Sequence, residues 1–283
     1  MRAALKASSL VLLVVALFAA PAEAGQSKVP GQVAEKTTVT GPIGAVRTVM
    51  ATCPRRTTAI WGGWRTGDVG PTAGALGIFE SRRAGTRQWR VSAQVVQAAG
   101  SHPLQVLAFC SRGPRLRVGA QTSQLTLTGS GDSVGGSATC PRHMRAVSGG
   151  FHFSPGLDTS AFVSGSYRVL RRSWRTEVRG PAGTAARLTA TAYCGGGATP
   201  VVRQDAIGLR PNPYTIGGVG TPACPRRRPP LSGGFRFLPA TPTDKPLIPT
   251  ALSRFQTQVV AGFLVFSDVT VNVFSYCLDP RRR

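Results

Sequence analysis

Apolar and polar side chains alternate with a period of two in three short stretches of the chain, each of which ends in a cysteine. The stretches are 104–110, 188–194 and 271–277. Such alternation is typical of a strand with one buried face, because successive side chains of a strand point to opposite sides. In the first stretch Leu104, Val106, Ala108 and Cys110 share a face, and we expect this face to lie in the core.

Each stretch closes one copy of a longer repeat. A Cys-Pro pair begins the copies at Cys53, Cys140 and Cys224. A Gly-Gly pair follows nine residues after each cysteine, and an aromatic residue comes next: Gly62-Gly63-Trp64, Gly149-Gly150-Phe151 and Gly233-Gly234-Phe235. Another aromatic opens a later strand at Trp89, Trp174 and Phe255. Recurrence at fixed spacing is the signature of a repeat protein.

The repeat and the lack of any stretch with helical periodicity predict an all-β protein. Its 34 glycines and 22 prolines fit a chain with many turns. We expect three homologous disulfide-closed β modules, either in tandem or closed around a pseudo-threefold axis as in a β-prism. The predicted segments are a signal peptide (1–24), a polar lead-in (25–36), β repeats at 37–118, 119–206 and 207–279, and a basic tail (280–283).

Six cysteines allow fifteen pairings, and the repeat makes one of them the most economical. It joins Cys53 to Cys110, Cys140 to Cys194 and Cys224 to Cys277, so that each bond lies within one copy. The Gly-Gly pairs are expected where a strand bulges or bends, or where another backbone or a disulfide comes close.

The first residues have the layout of a secretory signal peptide. Arg2 and Lys6 precede an apolar run at 10–20, and the small-residue site Ala22-Glu23-Ala24 follows. This predicts cleavage before Gly25 and an extracellular or cell-envelope-associated protein with no transmembrane segment in the mature chain. Export also supplies the oxidising surroundings that disulfides need.

The chain is strongly basic, with a formal net charge of +23. Only four of its 34 basic residues are lysine, and the arginine fork suits phosphate, sulfate and carboxylate groups. Such a charge favours polyanions as partners. Codon bias of a GC-rich genome is an alternative explanation, because the arginines are spread along the whole chain.

The search for catalytic or metal chemistry yields only weak candidates. The run Gly131-Asp132-Ser133-Val134-Gly135 matches the nucleophile-elbow pattern, which requires a sharp strand-to-helix turn. A zinc shell of Cys140, His143, His152 and Cys194 is conceivable, but the other copies carry arginine at both histidine positions. Glu80 and Glu177 are expected at the surface. We predict no catalytic residue, no metal and no cofactor.

The pattern Cys140-Pro141, Gly149-Gly150-Phe151, Ser166, Trp174 and Tyr193-Cys194 resembles the repeats of secreted actinobacterial proteins, which mostly lack an assigned function. The resemblance covers residues 37–279. The third copy departs from it, because its middle loop is short and Phe255 stands for the tryptophan. A fainter similarity links the threefold repetition to the β-prism of vitelline membrane outer layer proteins, and it implies an architecture only.

Basic residues recur after each Cys-Pro pair: Arg55-Arg56, Arg142-His143 and Arg226-Arg227. A threefold basic feature could bind a polyanion with multivalent gain. The leading hypothesis is therefore a secreted, non-enzymatic structural or adhesion-type protein. Its partner would be an anionic polysaccharide or teichoic-acid-like polymer, without specific contact to nucleic acid. The alternatives are a carbohydrate-active hydrolase using Glu80 or Glu177, and a lectin-like protein that binds sugars through an exposed Trp61 or Trp64.

Overall fold

The computed structural model describes most of the chain after the predicted signal peptide. The described residues are 31–67, 76–97, 99–112, 117–126, 133–154, 161–181, 183, 185–196, 200–209, 217–221, 223–225, 230–239, 248–255, 258–264 and 269–277. The predicted signal peptide and basic tail lie outside them. Within them the regular structure is almost entirely β-strand, and the all-β prediction is confirmed.

The described residues form eighteen strands, which fall into three groups of six in chain order. The first segment contains β1 (Gln32–Gly41), β2 (Val46–Thr52), β3 (Thr58–Thr66), β4 (Leu76–Arg83), β5 (Gln88–Val95) and β6 (Gly100–Ser111). The second contains β7 (Arg117–Thr126), β8 (Ser133–Thr139), β9 (Arg145–Ser154), β10 (Phe162–Leu170), β11 (Ser173–Arg179) and β12 (Ala185–Gly195). The third contains β13 (Val201–Leu209), β14 (Gly217–Gly220), β15 (Ser232–Pro239), β16 (Ile248–Phe255), β17 (Gln258–Leu264) and β18 (Val269–Cys277).

The segments begin a few residues earlier than the sequence repeat suggests. β1 starts at Gln32, so the end of the predicted polar lead-in belongs to a strand. β7 starts at Arg117 and β13 at Val201, before the predicted starts of the second and third repeats at 119 and 207. The Cys-Pro and Gly-Gly motifs that define the repeat lie outside the opening strand of each segment, so they do not mark where the segments begin.

The segments exchange strands in a cycle and form three six-stranded sheets. Sheet A has the order β1-β6-β3-β16-β17-β14, sheet B has β2-β5-β4-β9-β12-β7, and sheet C has β13-β18-β15-β10-β11-β8. Half of each sheet therefore comes from one segment and half from another. First and third segments share sheet A, first and second share sheet B, and second and third share sheet C.

The two halves of each sheet meet at a short seam. β4 pairs with β9 through Glu80–His152 and Ser81–Phe151 only. The seams between β10 and β15 and between β16 and β3 likewise have two residue pairs each. Pairing within a half is longer, with ten residue pairs between β1 and β6. Fewer residues are therefore paired between the halves of a sheet than within a half.

Each disulfide lies within one segment, as the repeat predicted. Cys53 is bonded to Cys110, Cys140 to Cys194 and Cys224 to Cys277, with Cα–Cα distances of 5.7, 5.6 and 5.6 Å. The bonds join the Cys-Pro turn to the last strand of the same segment. Hydrogen bonds at the seams, rather than disulfides, connect one segment to the next.

The Gly-Gly strands β3, β9 and β15 surround the centre of the molecule. Trp64 meets Phe151 and Phe235 edge to face, with ring centroids 6.2 and 6.3 Å apart. These three aromatics follow the three Gly-Gly pairs and are all buried. One hydrophobic cluster contains buried residues from all three segments, so the segments share a core.

The glycines admit close neighbours, as the sequence suggested. A side chain at the first glycine of each pair would collide with Trp89, Trp174 or Val259. A side chain at the second would collide with the backbone of the adjacent segment; at Gly150 an added Cβ would lie 2.6 Å from the Ser81 carbonyl oxygen. The second glycine therefore lets two segments approach at the seam.

The third copy differs from the other two at the tryptophan position, and Phe255 does not occupy it. Phe255 ends β16 and pairs with Gln258 across the hairpin. Val259 lies against the first glycine of the third pair, where Trp89 and Trp174 lie in the other copies. Spacing to the closing cysteine misassigned the position, because Val259 lies 18 residues before Cys277, whereas Trp89 and Trp174 lie 21 and 20 residues before theirs.

The face of β6 that was expected in the core is buried, with Leu104, Val106 and Ala108 at 1 % exposure or less, but the opposite face is buried as well. Leu107 and Phe109, on the other face of β6, are fully buried. Phe109 stacks on Trp61, and Tyr193 and Tyr276 pack against Trp89 and Trp174 of the preceding segment. Aromatic side chains cover the second face near the cysteine, so both faces lose contact with water there.

Candidate functional site

The described Cys-Pro turns present basic side chains to solvent. Arg55 and Arg56 follow Pro54 between β2 and β3, and Arg142 and His143 hold the same positions between β8 and β9; all four are exposed. The third pair, Arg226 and Arg227, lies outside the described residues.

Both turns have the same backbone conformation. The N–H of Thr57 donates to the Pro54 carbonyl oxygen and that of Met144 to the Pro141 carbonyl oxygen, each at 3.2 Å. Arg56 and His143 have φ values of 64° and 70°. Glycine would adopt this left-handed conformation without steric cost. Two copies therefore keep a basic side chain where glycine would be less strained.

Arginines of a neighbouring hairpin adjoin each turn. Arg87, at the β4–β5 hairpin, donates from Nε to the Cys53 carbonyl oxygen at 2.9 Å. Arg172, at the β10–β11 hairpin, donates to the Cys140 carbonyl oxygen at 3.1 Å. The backbone N–H of each cysteine donates back to the arginine carbonyl oxygen at 2.8 Å. Turn and hairpin thus form one hydrogen-bonded basic unit in both segments.

The turns lie at the same end of the molecule. Ser148, near the start of β9, donates to the carbonyl oxygen of Ile60, near the start of β3. Farther along, Phe151 meets Trp64. Because the contacts advance together along both strands, β3 and β9 run in the same direction. Each strand starts after its Cys-Pro turn, so Arg55, Arg56, Arg142 and His143 extend from one end, which we call the turn end.

Carboxylates do not neutralise the turn end within the part of the chain that the structure describes. The described carboxylates are Glu35, Glu80, Glu177 and Asp205, all inside strands. None lies in a Cys-Pro turn or in the adjoining hairpin. The local field among the described groups is therefore positive and favours an anion.

Glu80 is buried, not at the surface as the sequence suggested. Its exposure is 4 %, and its carboxylate accepts hydrogen bonds from Arg82, Arg90 and Ser92 at 2.6, 2.8 and 2.6 Å. Burial alone would raise the pKa of Glu80, but the three donors outweigh it and lower the pKa below its ordinary value. Adjacent His152 has a lowered pKa because burial disfavours its charge more than Glu80 favours it.

Glu177 is a second buried carboxylate, in sheet C, with an exposure of 3 %. Tyr167 Oη and Arg175 Nε each lie 2.8 Å from one oxygen, and Arg236 Nε lies 3.1 Å from the other. Burial and the bond to Glu177 raise the pKa of Tyr167 to about 12. Glu80 and Glu177 lie in different sheets, each held by its own arginines, which is not the facing pair that sugar hydrolysis requires.

The other candidates from the sequence do not form sites. Ser133 is the first residue of strand β8, and the next element is strand β9. The described part of the motif therefore lacks the strand-to-helix turn of a nucleophile elbow. Cys140 and Cys194 are bonded to each other and are not metal ligands. Among the described residues, no group of three His, Cys, Asp or Glu side chains could hold a metal ion.

Trp61 and Trp64 are buried, with exposures of 1 % and 0 %. They therefore offer no surface for stacking a sugar, contrary to the lectin-like alternative. The void between the Gly-Gly strands has room for about one water molecule, so the centre does not admit a larger ligand.

The three disulfides are consistent with an extracellular protein. In the part of the chain that the structure describes, no helix is long and apolar enough to cross a membrane. No protein-family model matches the chain, and no curated protein matches it.

Proposed function

We propose that the protein is an exported, non-enzymatic structural or adhesion-type protein that binds an anionic cell-envelope polymer through its turn end. The observation that carries the proposal is the grouping of Arg55, Arg56, Arg142 and His143 at that end, where a hairpin arginine donates to the carbonyl oxygen of the cysteine that precedes each pair. The partner is an acidic polysaccharide or a teichoic-acid-like polymer.

The arrangement supports binding to a repeating anion. Disulfides and β-pairing hold the turns at fixed positions, so several guanidiniums can meet successive phosphates or carboxylates without first being ordered. Simultaneous contacts by separate turns multiply the affinity of each. The backbone cost of keeping Arg56 and His143 in the left-handed conformation also points to a role for these side chains.

Retention on an immobilised glycerol-phosphate polymer at rising salt tests the proposal. The test variant carries Arg55→Ser, Arg56→Asn and Arg142→Ser, in which asparagine tolerates the left-handed conformation. The control variant carries Lys36→Ser, Arg47→Ser and Arg187→Ser, which removes the same charge from exposed strand positions.

The test variant should elute at lower salt than the control. If each lost contact releases about 0.7–0.9 counterion, the slope of log affinity against log salt should fall by about 2–3 in the test variant. Equal elution of the two variants, or no retention of the wild-type protein at low salt, would refute binding through the turn end.

A further inference from the structure

The three sheets can be compared position by position at their seams. In sheet B, Glu80 pairs with His152 across the seam and with Ser92 within its own half. In sheet C, Gly165 pairs with Arg236 across the seam and with Glu177 within its own half. The acid therefore comes from β4 in one sheet and from β11 in the other, but both acids belong to corresponding residue pairs.

Sheet A has no acid at the corresponding positions. Ala251 pairs with Arg65 across the seam and with Gly262 within its own half. Alanine thus replaces Glu80, glycine replaces Glu177, and Arg65 corresponds to His152 and Arg236. The basic partner across the seam is kept, while the carboxylate that accompanies it elsewhere is missing.

The described residues around Arg65 satisfy only part of the hydrogen-bonding capacity of its guanidinium group. The side chain is partly buried, and its Nη2 donates to the hydroxyl of Ser253 at 3.2 Å. Burial lowers the pKa of Arg65. A guanidinium removed from water gains most from a bidentate carboxylate, whereas a serine hydroxyl satisfies only one of its donors.

We propose that Arg65 and its neighbours Ala251 and Ser253 in sheet A form a binding site for the carboxylate of an external ligand. The ligand group would take the place that the Glu80 and Glu177 carboxylates have in the other sheets. Small residues at the two acid positions leave this place to a ligand, and Arg65 supplies the charge. A uronic acid and the C-terminus of a peptide share the required chemistry.

This site does not depend on the polymer bound at the turn end. Arg65 lies near the C-terminal end of β3, whereas the Cys-Pro turn precedes the start of that strand. Loss of polymer retention in the turn variant would therefore leave carboxylate binding unchanged.

The test is a titration of the full-length protein with sodium glucuronate and, separately, with N-acetylglycine, followed by the NMR signal of the Arg65 Nε–H group and by the fluorescence of the four tryptophans, of which Trp64 precedes Arg65 in β3. Sodium chloride at equal ionic strength is the reference. Saturable shifts with a carboxylate but not with chloride are expected, and the tighter of the two probes indicates the source of the ligand.

Three variants distinguish the site from general basicity, with fluorescence as the common readout. Arg65→Gln should weaken binding by about tenfold or more, as expected when a charge-assisted pair is lost. Arg236→Gln removes an arginine at the corresponding position of sheet C, which already has Glu177, and should bind like the wild type. Ala251→Glu supplies the missing acid and should abolish binding while raising the melting temperature.

Absence of a saturable shift in the wild-type protein would overturn the proposal. Equal weakening by Arg65→Gln and Arg236→Gln would do the same, because it would reduce the effect to net charge. Unfolding curves show whether each variant is folded. If Arg65→Gln is unstable, the loss of carboxylate binding in Ala251→Glu tests the same site.

Discussion

Replacing Gly150 by alanine tests the close approach of two segments at a seam. The added Cβ would lie 2.6 Å from the Ser81 carbonyl oxygen and 3.0 Å from the Arg82 Cα. Carbon–oxygen contacts are about 3.3–3.6 Å, so β4 and β9 would have to separate by about 0.7–1 Å. Only two residue pairs connect these strands. Overpacking of this kind costs about 1–3 kcal/mol.

Urea unfolding followed by tryptophan fluorescence measures this cost. Gly208→Ala is the matched control, because an added Cβ there meets nothing within 4 Å. We expect a lower midpoint for Gly150→Ala at an unchanged m-value and a near-wild-type midpoint for Gly208→Ala. If the two variants agree within about 0.5 kcal/mol, the range of neutral surface changes, the described seam is wrong.

Three further changes probe other parts of the framework. Tyr276→Phe removes the acceptor of the Arg168 N–H, 2.7 Å away, and should cost about 1–3 kcal/mol in urea unfolding; an unchanged midpoint would contradict this bond. Replacing Cys140 and Cys194 by alanine opens a bond with a sequence separation of 54 and should cost about 4 kcal/mol in the chain-entropy model, measured the same way. The lowered pKa of His152 means that the unfolded state binds the proton more readily, so stability should fall as the pH drops below about 6.5. His152→Gln should flatten that part of the melting-temperature profile; an identical profile would exclude His152 as its cause.

The sequence predicted the parts of the fold that repeat with constant spacing. Every copy contains one cysteine at the Cys-Pro turn and one at the closing strand, so the pairing of Cys53 with Cys110 could be predicted from the sequence. The Gly-Gly pairs were expected where another backbone comes close, and Gly150 meets the backbone at Ser81. Both features are local to a motif, and fixed spacing therefore reveals them.

The strand exchange could not be read from periodicity. A strand such as β4 has the same alternation whether it pairs within its own segment or with β9 of the next. Burial of the second face of the closing strands could not be predicted either. It results from contacts between segments, such as that of Tyr193 with Trp89, and the pattern within one segment does not show them.

The burial of Glu80 and Glu177 could not be predicted from the repeat, because the two acids occupy different strands in different copies. Glu80 lies on β4 and Glu177 on β11, so an alignment of the repeats places them at unrelated positions. Arginines two residues from each acid, Arg82 and Arg175, were a usable signal, since side chains two apart on a strand share a face. Likewise, the shorter distance from Val259 to the closing cysteine of the third copy hid the correspondence between Val259 and Trp174.

The shared core is tested most directly by producing the second segment alone, as residues 117–195. Its strands would form two half-sheets with unpaired seams, and Phe151 would lose its contact with Trp64. Sedimentation and circular dichroism should therefore find no monomer that unfolds cooperatively. A monomeric segment with the native disulfide and a sharp unfolding transition would contradict the exchange of strands among the three segments.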